Sequence, residues 1–199
     1  MIGNDLVDLQ LANQESNWKR PRFLQKIFTA KEQDFIAGTT QKDKAIWLLW
    51  SRKESVYKIV ARMKKRRFYA PKKLENTKFD LEETLGFAQS SGQITFEGTL
   101  FFTKSVVTNT YIHTVAQWND KQPLISTCFY LHQSDYSHQH EITRQNLVKD
   151  YAQRTNLAVA DLNIQKDEWK IPYIYHKNKR QSVTISISHH GSYGGYVFQ

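Results

Sequence analysis

Three short stretches of this chain hold side chains that could do chemistry together. In Trp50-Ser51-Arg52-Lys53-Glu54-Ser55-Val56-Tyr57-Lys58, Glu54 and Lys58 are four residues apart, so on a helix they share a face. A solvated pair of that kind contributes only about 0.3–0.5 kcal/mol. Trp50 lies on the same face, and a large aromatic beside the pair favours a site over an ordinary surface ion pair. The second stretch is Ile2-Gly3-Asn4-Asp5. Asp5 is either a turn or cap residue or a metal carboxylate, with Gly3 permitting close backbone approach. The third is Ser186-Ile187-Ser188-His189-His190-Gly191, a strand end carrying two histidines. A zinc reading of that pair fails, because no third and fourth ligand follow at a motif spacing and Cys128 stands alone.

The elements that must position these residues can be read from periodicity. Ile2–Leu9 alternates apolar and polar and reads as a strand, with Asp5 and Asp8 near its exit. A short helix is expected over Phe23–Phe28. Thr29 and Glu32 fit a capping box opening a helix that Gly38 closes. A long helix is expected from Lys42 to Arg66, because Ile46, Leu49, Trp50, Val56, Tyr57, Val60 and Met63 recur at spacings of three and four. Residues 75–92 are polar and read as a loop with a short helix. Gln93–Thr103, Val106–Gln117 and Leu124–Leu131 are rich in β-branched and aromatic residues and read as strands. Ser134–His140 reads as a linker and Glu141–Asn156 as a helix. Strands are then expected at Leu162–Gln165, Pro172–Tyr175 and Ser182–Ser188, with a last strand ending at Phe198. This order predicts an α+β chain of two similar halves.

The chain has 199 residues, 40% hydrophobic and 24% charged, which is globular composition. One cysteine excludes an internal disulfide. Met1–Leu11 lacks a basic region and does not read as a signal peptide, and no apolar run nears the ~20 residues of a membrane span. A cytoplasmic location is expected. The net charge of +9 favours anionic partners: nucleic acid, phosphorylated ligands or an acidic protein.

Taken together, Gly-x-Asp near the N-terminus, Trp-x-x-Lys-Glu-x-x-x-Lys on a helix and Ser-Ile-Ser-His near the C-terminus resemble the 4'-phosphopantetheinyl transferase superfamily. The motif order, and the stretch Arg22–Glu32, resemble its holo-acyl-carrier-protein synthase branch. The segment from Glu141 through Leu162–Ile174 to Ile185–His189 resembles the first half of the two-lobed, surfactin-type members, here placed after the Gly-x-Asp half. The resemblance covers about residues 1–70 and 141–199. It implies two pseudo-twofold-related lobes, 1–132 and 141–199 joined by 133–140, each a small antiparallel sheet on a long helix, in a monomer.

The resemblance also implies an activity and roles. The activity is magnesium-dependent transfer of 4'-phosphopantetheine from coenzyme A to a serine of an acidic carrier protein, with 3',5'-ADP released. Asp5 and Glu54 match magnesium ligands, and Mn²⁺ could serve in its place. Glu54 also matches the proton acceptor. Lys58 matches the lysine on the coenzyme A phosphates, and His189, with Ser188 beside it, matches a coenzyme A contact. Arg144 and Lys149 are looser candidates for the 3'-phosphate. Lys170 stands next to Ile171, where surfactin-type members have lysine, but on a strand it would face the opposite way. Arg22, Phe23 and Lys26 sit where the short branch meets its carrier, and Arg22 and Lys26 would share a helical face. Asp8 stands near the first motif without matching a ligand. A basic anion- or nucleic-acid-binding module using Lys64-Lys65-Arg66-Arg67 is the alternative, and an inactive carrier-binding relative is another.

Overall fold

A computed structural model describes residues 1–79, 87–119, 123–132 and 135–199. The first strand, β1 (Ile2–Asp8), is buried on both faces, so Ile2, Leu6 and Val7 pack inward together with the buried polar Asn4. It pairs antiparallel with β5 (Tyr111–Gln117), which sets Asp5 opposite Thr114. Beyond β5 lie β4 (Thr99–Thr108), β3 (Phe87–Phe96) and β2 (Glu75–Phe79), completing a five-stranded antiparallel sheet in the order β1-β5-β4-β3-β2.

The strand boundaries here differ from the sequence expectation. The hairpin between β3 and β4 turns at Glu97-Gly98, both at positive φ (49° and 79°), and the next turns at Asn109-Thr110. A two-residue turn with both residues left-handed matches strand twist, and Glu-Gly is an unusual sequence for it. Part of the stretch expected as a loop over 75–92 forms β2 and the start of β3, held by sheet pairing that local polarity does not report. The remainder of that expectation, residues 80–86, lies outside the described residues.

Four helices follow β1 before β2. Helix α1 (Leu9–Glu15) was not foreseen; Asp8 caps it, accepting from the N–H groups of Gln10 and Leu11. After α2 (Phe23–Ile27) comes α3 (Ala30–Gly38), opened by the expected capping box of Thr29 and Glu32. Helix α4 (Lys42–Lys64) is 23 residues long and ends where Lys65 turns left-handed. Its buried face, including Ile46, Leu49, Val56 and Val60, packs on β1 and β5, while Met63 is exposed.

Helix α5 (Tyr136–Thr155) begins at an Asp135 N-cap, so residues 136–140 are its first turn and not a linker; residues 133–134 are not among those described. It lies on a second sheet, β10 (Ile185–His190), β11 (Tyr193–Phe198) and β6 (Ile125–Tyr130), with Leu147, Tyr151, Ile185 and Phe198 in the shared core. Strand β6, expected with the first half, thus pairs in the second sheet. A third sheet joins β7 (Leu162–Lys166), β8 (Pro172–His176) and β9 (Lys179–Arg180). The α+β expectation holds, with antiparallel sheets throughout. Among the described residues no helix is long and apolar enough to cross a membrane.

The two ends of the chain meet. Strand β1 lies against β10 and β11, and the Asn4 N–H donates to the Ser186 hydroxyl at 3.0 Å. Below it β1 rests directly on α4. A methyl group added to Gly3 would stand 2.1 Å from the Ser55 carbonyl oxygen, so only glycine lets strand and helix approach this closely.

Candidate active site

Helix α4 sorts the residues of its motif by direction. Arg52 and Lys53 turn inward and are fully buried. Arg52 donates to the Lys78 carbonyl, the Ser90 hydroxyl and the Ser91 carbonyl, and its guanidinium fills the space over Gly92. Lys53 donates to the Glu32 carboxylate at 2.8 Å and to the carbonyls of Pro71 and Leu74. Glu32, completely buried, in turn accepts from both N–H groups of Asn76. The capping box of α3 is therefore also the anchor of a buried ion pair, which sequence spacing could not reveal.

Trp50, Glu54 and Lys58 step along the other side of α4, toward β1 and β10. The Lys58 ammonium lies 3.9 Å from the Asp5 carboxylate, and it donates to the carbonyls of Asn4 (2.6 Å) and Ile187 (3.3 Å). One lysine thus ties α4 to both ends of the chain. A cleft of about 260 Å³ is lined by Asp5, Trp50, Glu54, Ser188, His189 and His190. Its neighbour, about 310 Å³, is lined by Lys58, Arg62, Arg67, Arg144, Lys166 and Lys170, together with His189.

The electrostatics of the two clefts are opposite. Burial, then the charge of Asp5, pushes the Glu54 carboxyl up to about 7, with Lys58 pulling back. Burial also raises Asp5, again opposed by Lys58. Two acids that repel one another in a dehydrated cleft call for a cation. Among the described residues no group of three or more His, Cys, Asp or Glu side chains is placed to hold a metal. A closed protein cage is therefore absent there, whereas Mg²⁺, which keeps several waters and takes one or two carboxylates plus substrate phosphates, suits this donor set. In the second cleft, burial and then the charges of Arg144, Lys170 and Arg67 lower Lys166. His189 is brought down to about 4 by burial and by His140, Lys58 and Lys166. Its Nδ1 meets the Gln139 side-chain oxygen at 2.9 Å. Cations crowded to the point of mutual depression call for an anion.

The remaining expected residues fall in several places. Lys170 is not on a strand: it sits in a left-handed turn (φ 65°) before β8, and so lines the same cleft as Ile171. Arg144 donates to the Ile164 carbonyl and lines both this cleft and an adjoining groove of about 890 Å³; Lys149 lines only the groove. Arg22 is left-handed (φ 66°) and sits at the N-cap position of α2, outside the helix and with no side-chain capping bond, so it does not share a helical face with Lys26 as expected. Phe23 is half-buried against the α4 core under the Arg20 guanidinium, while Arg22 and Lys26 are exposed. Asp8 holds α1 and also accepts from the Ser192 N–H at 2.9 Å, which makes it a structural acid. His190, expected at an exposed strand end, accepts from the Asp8 N–H at 2.9 Å through Nδ1.

Arg62, Lys166 and Gln139 were missed, and Arg67 was singled out only within the Lys64–Arg67 cluster of the alternative reading. Arg62 carried a signal, since it continues the step Trp50, Glu54, Lys58 by four more residues. Gln139 was hidden in a segment read as linker, and nothing in local sequence marks Lys166.

Comparison with curated proteins finds no significant match. A family model does match, over residues 1–148, and the match runs through the middle of the chain, where the motifs gave little resemblance. That model is the 4'-phosphopantetheinyl transferase superfamily. With 148 of 199 residues inside the match, and Asp5, Glu54 and Lys58 among them, the chain belongs to the 4'-phosphopantetheinyl transferase superfamily.

Proposed function

We propose that this protein transfers the 4'-phosphopantetheine group of coenzyme A to a serine hydroxyl of an acidic apo carrier protein, as a holo-acyl-carrier-protein synthase does, releasing 3',5'-ADP. The observation that carries the reading is the adjacency of two clefts of opposite character, one built on Asp5 and Glu54 and one on six cations, with Lys58 at the seam.

Each part then has a task. The cation-lined cleft takes the pyrophosphate and 3'-phosphate, with Lys58, Lys166 and Lys170 as point charges and the planar Arg144 guanidinium as a forked donor on phosphate. His189 and Ser188 border the coenzyme where the two clefts join. Asp5 and Glu54 are the residues that would hold Mg²⁺, which when bound neutralises charge on the phosphate oxygens. Glu54, raised toward neutrality, lies where it can accept the proton of the attacking serine, directly or through water. The serine oxygen forms a bond to the β-phosphorus, and the bond from that phosphorus to the bridging oxygen breaks. The working unit in this reading is a monomer, because α4 and β10 of one chain supply both sides of the seam. Its two halves would be pseudo-twofold-related.

An assay with coenzyme A, Mg²⁺ and a set of apo carrier proteins from fatty-acid, polyketide and peptide synthesis, read by the mass gain of one phosphopantetheine group on the carrier, tests the reading. No product with any carrier sinks it.

A further inference from the structure

Glu54 lines a second opening that the phosphate-binding cleft does not use. A groove of about 210 Å³ runs from Lys53 and Glu54 past Tyr57 and Phe68 to Tyr69 and Pro71. Tyr57, Phe68, Tyr69, Pro71 and Leu74 give it aromatic and apolar walls beside the charged Lys53 and Glu54, and Tyr69 is 76% exposed. Its rim is basic. Residues 64–74 hold six Lys or Arg and no acid. Lys65, Arg66, Lys72 and Lys73 are all exposed, and among the described residues none of their side chains forms a direct ion pair, while Arg67 faces the cation-lined cleft. Lys64 is paired with Glu97, whose charge also acts on Lys73 and Arg66. Helix α2 packs against the 3-10 turn Pro71–Lys73, so exposed Arg22 and Lys26 adjoin this rim instead of forming a separate patch.

Aromatic and apolar walls with an exposed tyrosine and a predominantly basic rim fit a protein surface that is acidic around an apolar centre. The pantetheine arm of coenzyme A is uncharged beyond its pyrophosphate and makes no use of such a rim. We propose that the acceptor protein docks an acidic face over this groove, on the Lys65–Lys73 segment and the adjoining end of α2, so that its hydroxyl enters toward Glu54. The proposal rests on the transferase reading and adds where, and by which residues, the second substrate is held.

The test uses the full chain with Lys72→Glu/Lys73→Glu and, separately, Tyr69→Ala. All three positions are partly or fully exposed, and melting curves establish that each variant is folded. Steady-state kinetics are taken for an apo-acyl carrier protein and for coenzyme A at two salt concentrations. Binding of a labelled carrier whose acceptor serine is alanine is measured by fluorescence anisotropy. Charge reversal should raise the carrier KM and Kd roughly tenfold and flatten their salt dependence, while the coenzyme A KM stays within about twofold. Tyr69→Ala should weaken the carrier without changing salt dependence. An active double variant with an unchanged carrier KM overturns the docking proposal and leaves the transferase reading standing. A rise confined to the coenzyme A KM also overturns it, by giving the groove to the coenzyme. Wild-type protein inactive with every carrier instead overturns the transferase reading, and docking with it.

Discussion

The Lys58 ammonium and the Asp5 carboxylate stand 3.9 Å apart, closer than bulk water would leave them but longer than a direct hydrogen bond. The ammonium is already committed to two backbone carbonyls, Asn4 and Ile187. Lys58 thus attracts Asp5 without a direct hydrogen bond to it, and the Asp5 charge remains available to a second cation.

The isosteric changes Asp5→Asn and Glu54→Gln should each abolish transfer, by at least about a hundredfold in kcat, without lowering the melting temperature. Burial already opposes the charge on both groups, so removing it costs the fold little. Parallel kinetics and thermal melts check this; a variant that keeps near-normal turnover at saturating Mg²⁺ takes that residue out of the reaction.

Gly3→Ala should fail through geometry. The added methyl meets the Ser55 carbonyl oxygen at 2.1 Å, and a backbone atom cannot swing aside. The strand must lift from α4, carrying Asp5 with it. We expect a destabilisation of about 1–3 kcal/mol and a larger proportional loss of activity. Urea unfolding of the variant beside its kinetics reads both; wild-type values for both would mean that the strand-to-helix contact has slack.

Breaking the Lys53–Glu32 pair should be costly whichever partner goes. Lys53→Met leaves a buried carboxylate on Asn76, and Glu32→Gln leaves a buried ammonium on two carbonyls. Each single change should cost about 3–5 kcal/mol, and the double variant clearly less than the sum. Chemical denaturation across the double-mutant cycle supplies the number.

Stability should depend on pH through His113. This histidine is 5% exposed beneath Asn4, and burial, with Lys58 nearby, brings it from an ordinary value near 6.5 down to about 4. Between those values the unfolded chain binds the proton and the folded chain does not. The contribution of His113 to stability is therefore complete above pH 6.5, falls as the pH drops toward 4, and levels below that, against the opposite slope that the raised Glu54 carboxyl gives between about 4.5 and 7. The loss from this residue is on the order of 3 kcal/mol. His189 is depressed to about 4 and contributes with the same sign. Unfolding free energies at pH 7 and 4.5 should converge in His113→Gln relative to wild type; an unaltered slope assigns the effect elsewhere.

Much of the cleft was legible because its residues follow rules that act within one element. Glu54 and Lys58 share a face by helical spacing, and the Thr29–Glu32 box is a local hydrogen-bond pattern. Where the reading went astray, long-range pairing decided. Strand β2 exists because β3 lies beside it, and residues 136–140 become helix because Asp135 caps them and the α5 core extends beneath. The left-handed backbones of Arg22 and Lys170 redirect side chains in a way that residue type does not announce. Arg67 and Lys166 come together only when the end of α4, α5 and the β7–β8 sheet are assembled.

The contact of β1 with β10 has a consequence for the timing of synthesis. Domains fold as they leave the ribosome, N-terminal parts first. Strand β1, α4 and the five-stranded sheet can associate early, but Lys58 lacks its Ile187 anchor, and Asn4 its Ser186 partner, until β10 has been made. Through most of translation the acids and the lysine therefore face an incomplete wall. A nascent chain of this protein can hold a folded first sheet and still present no enclosed cleft, so binding competence arrives late and in one step with the closing strand.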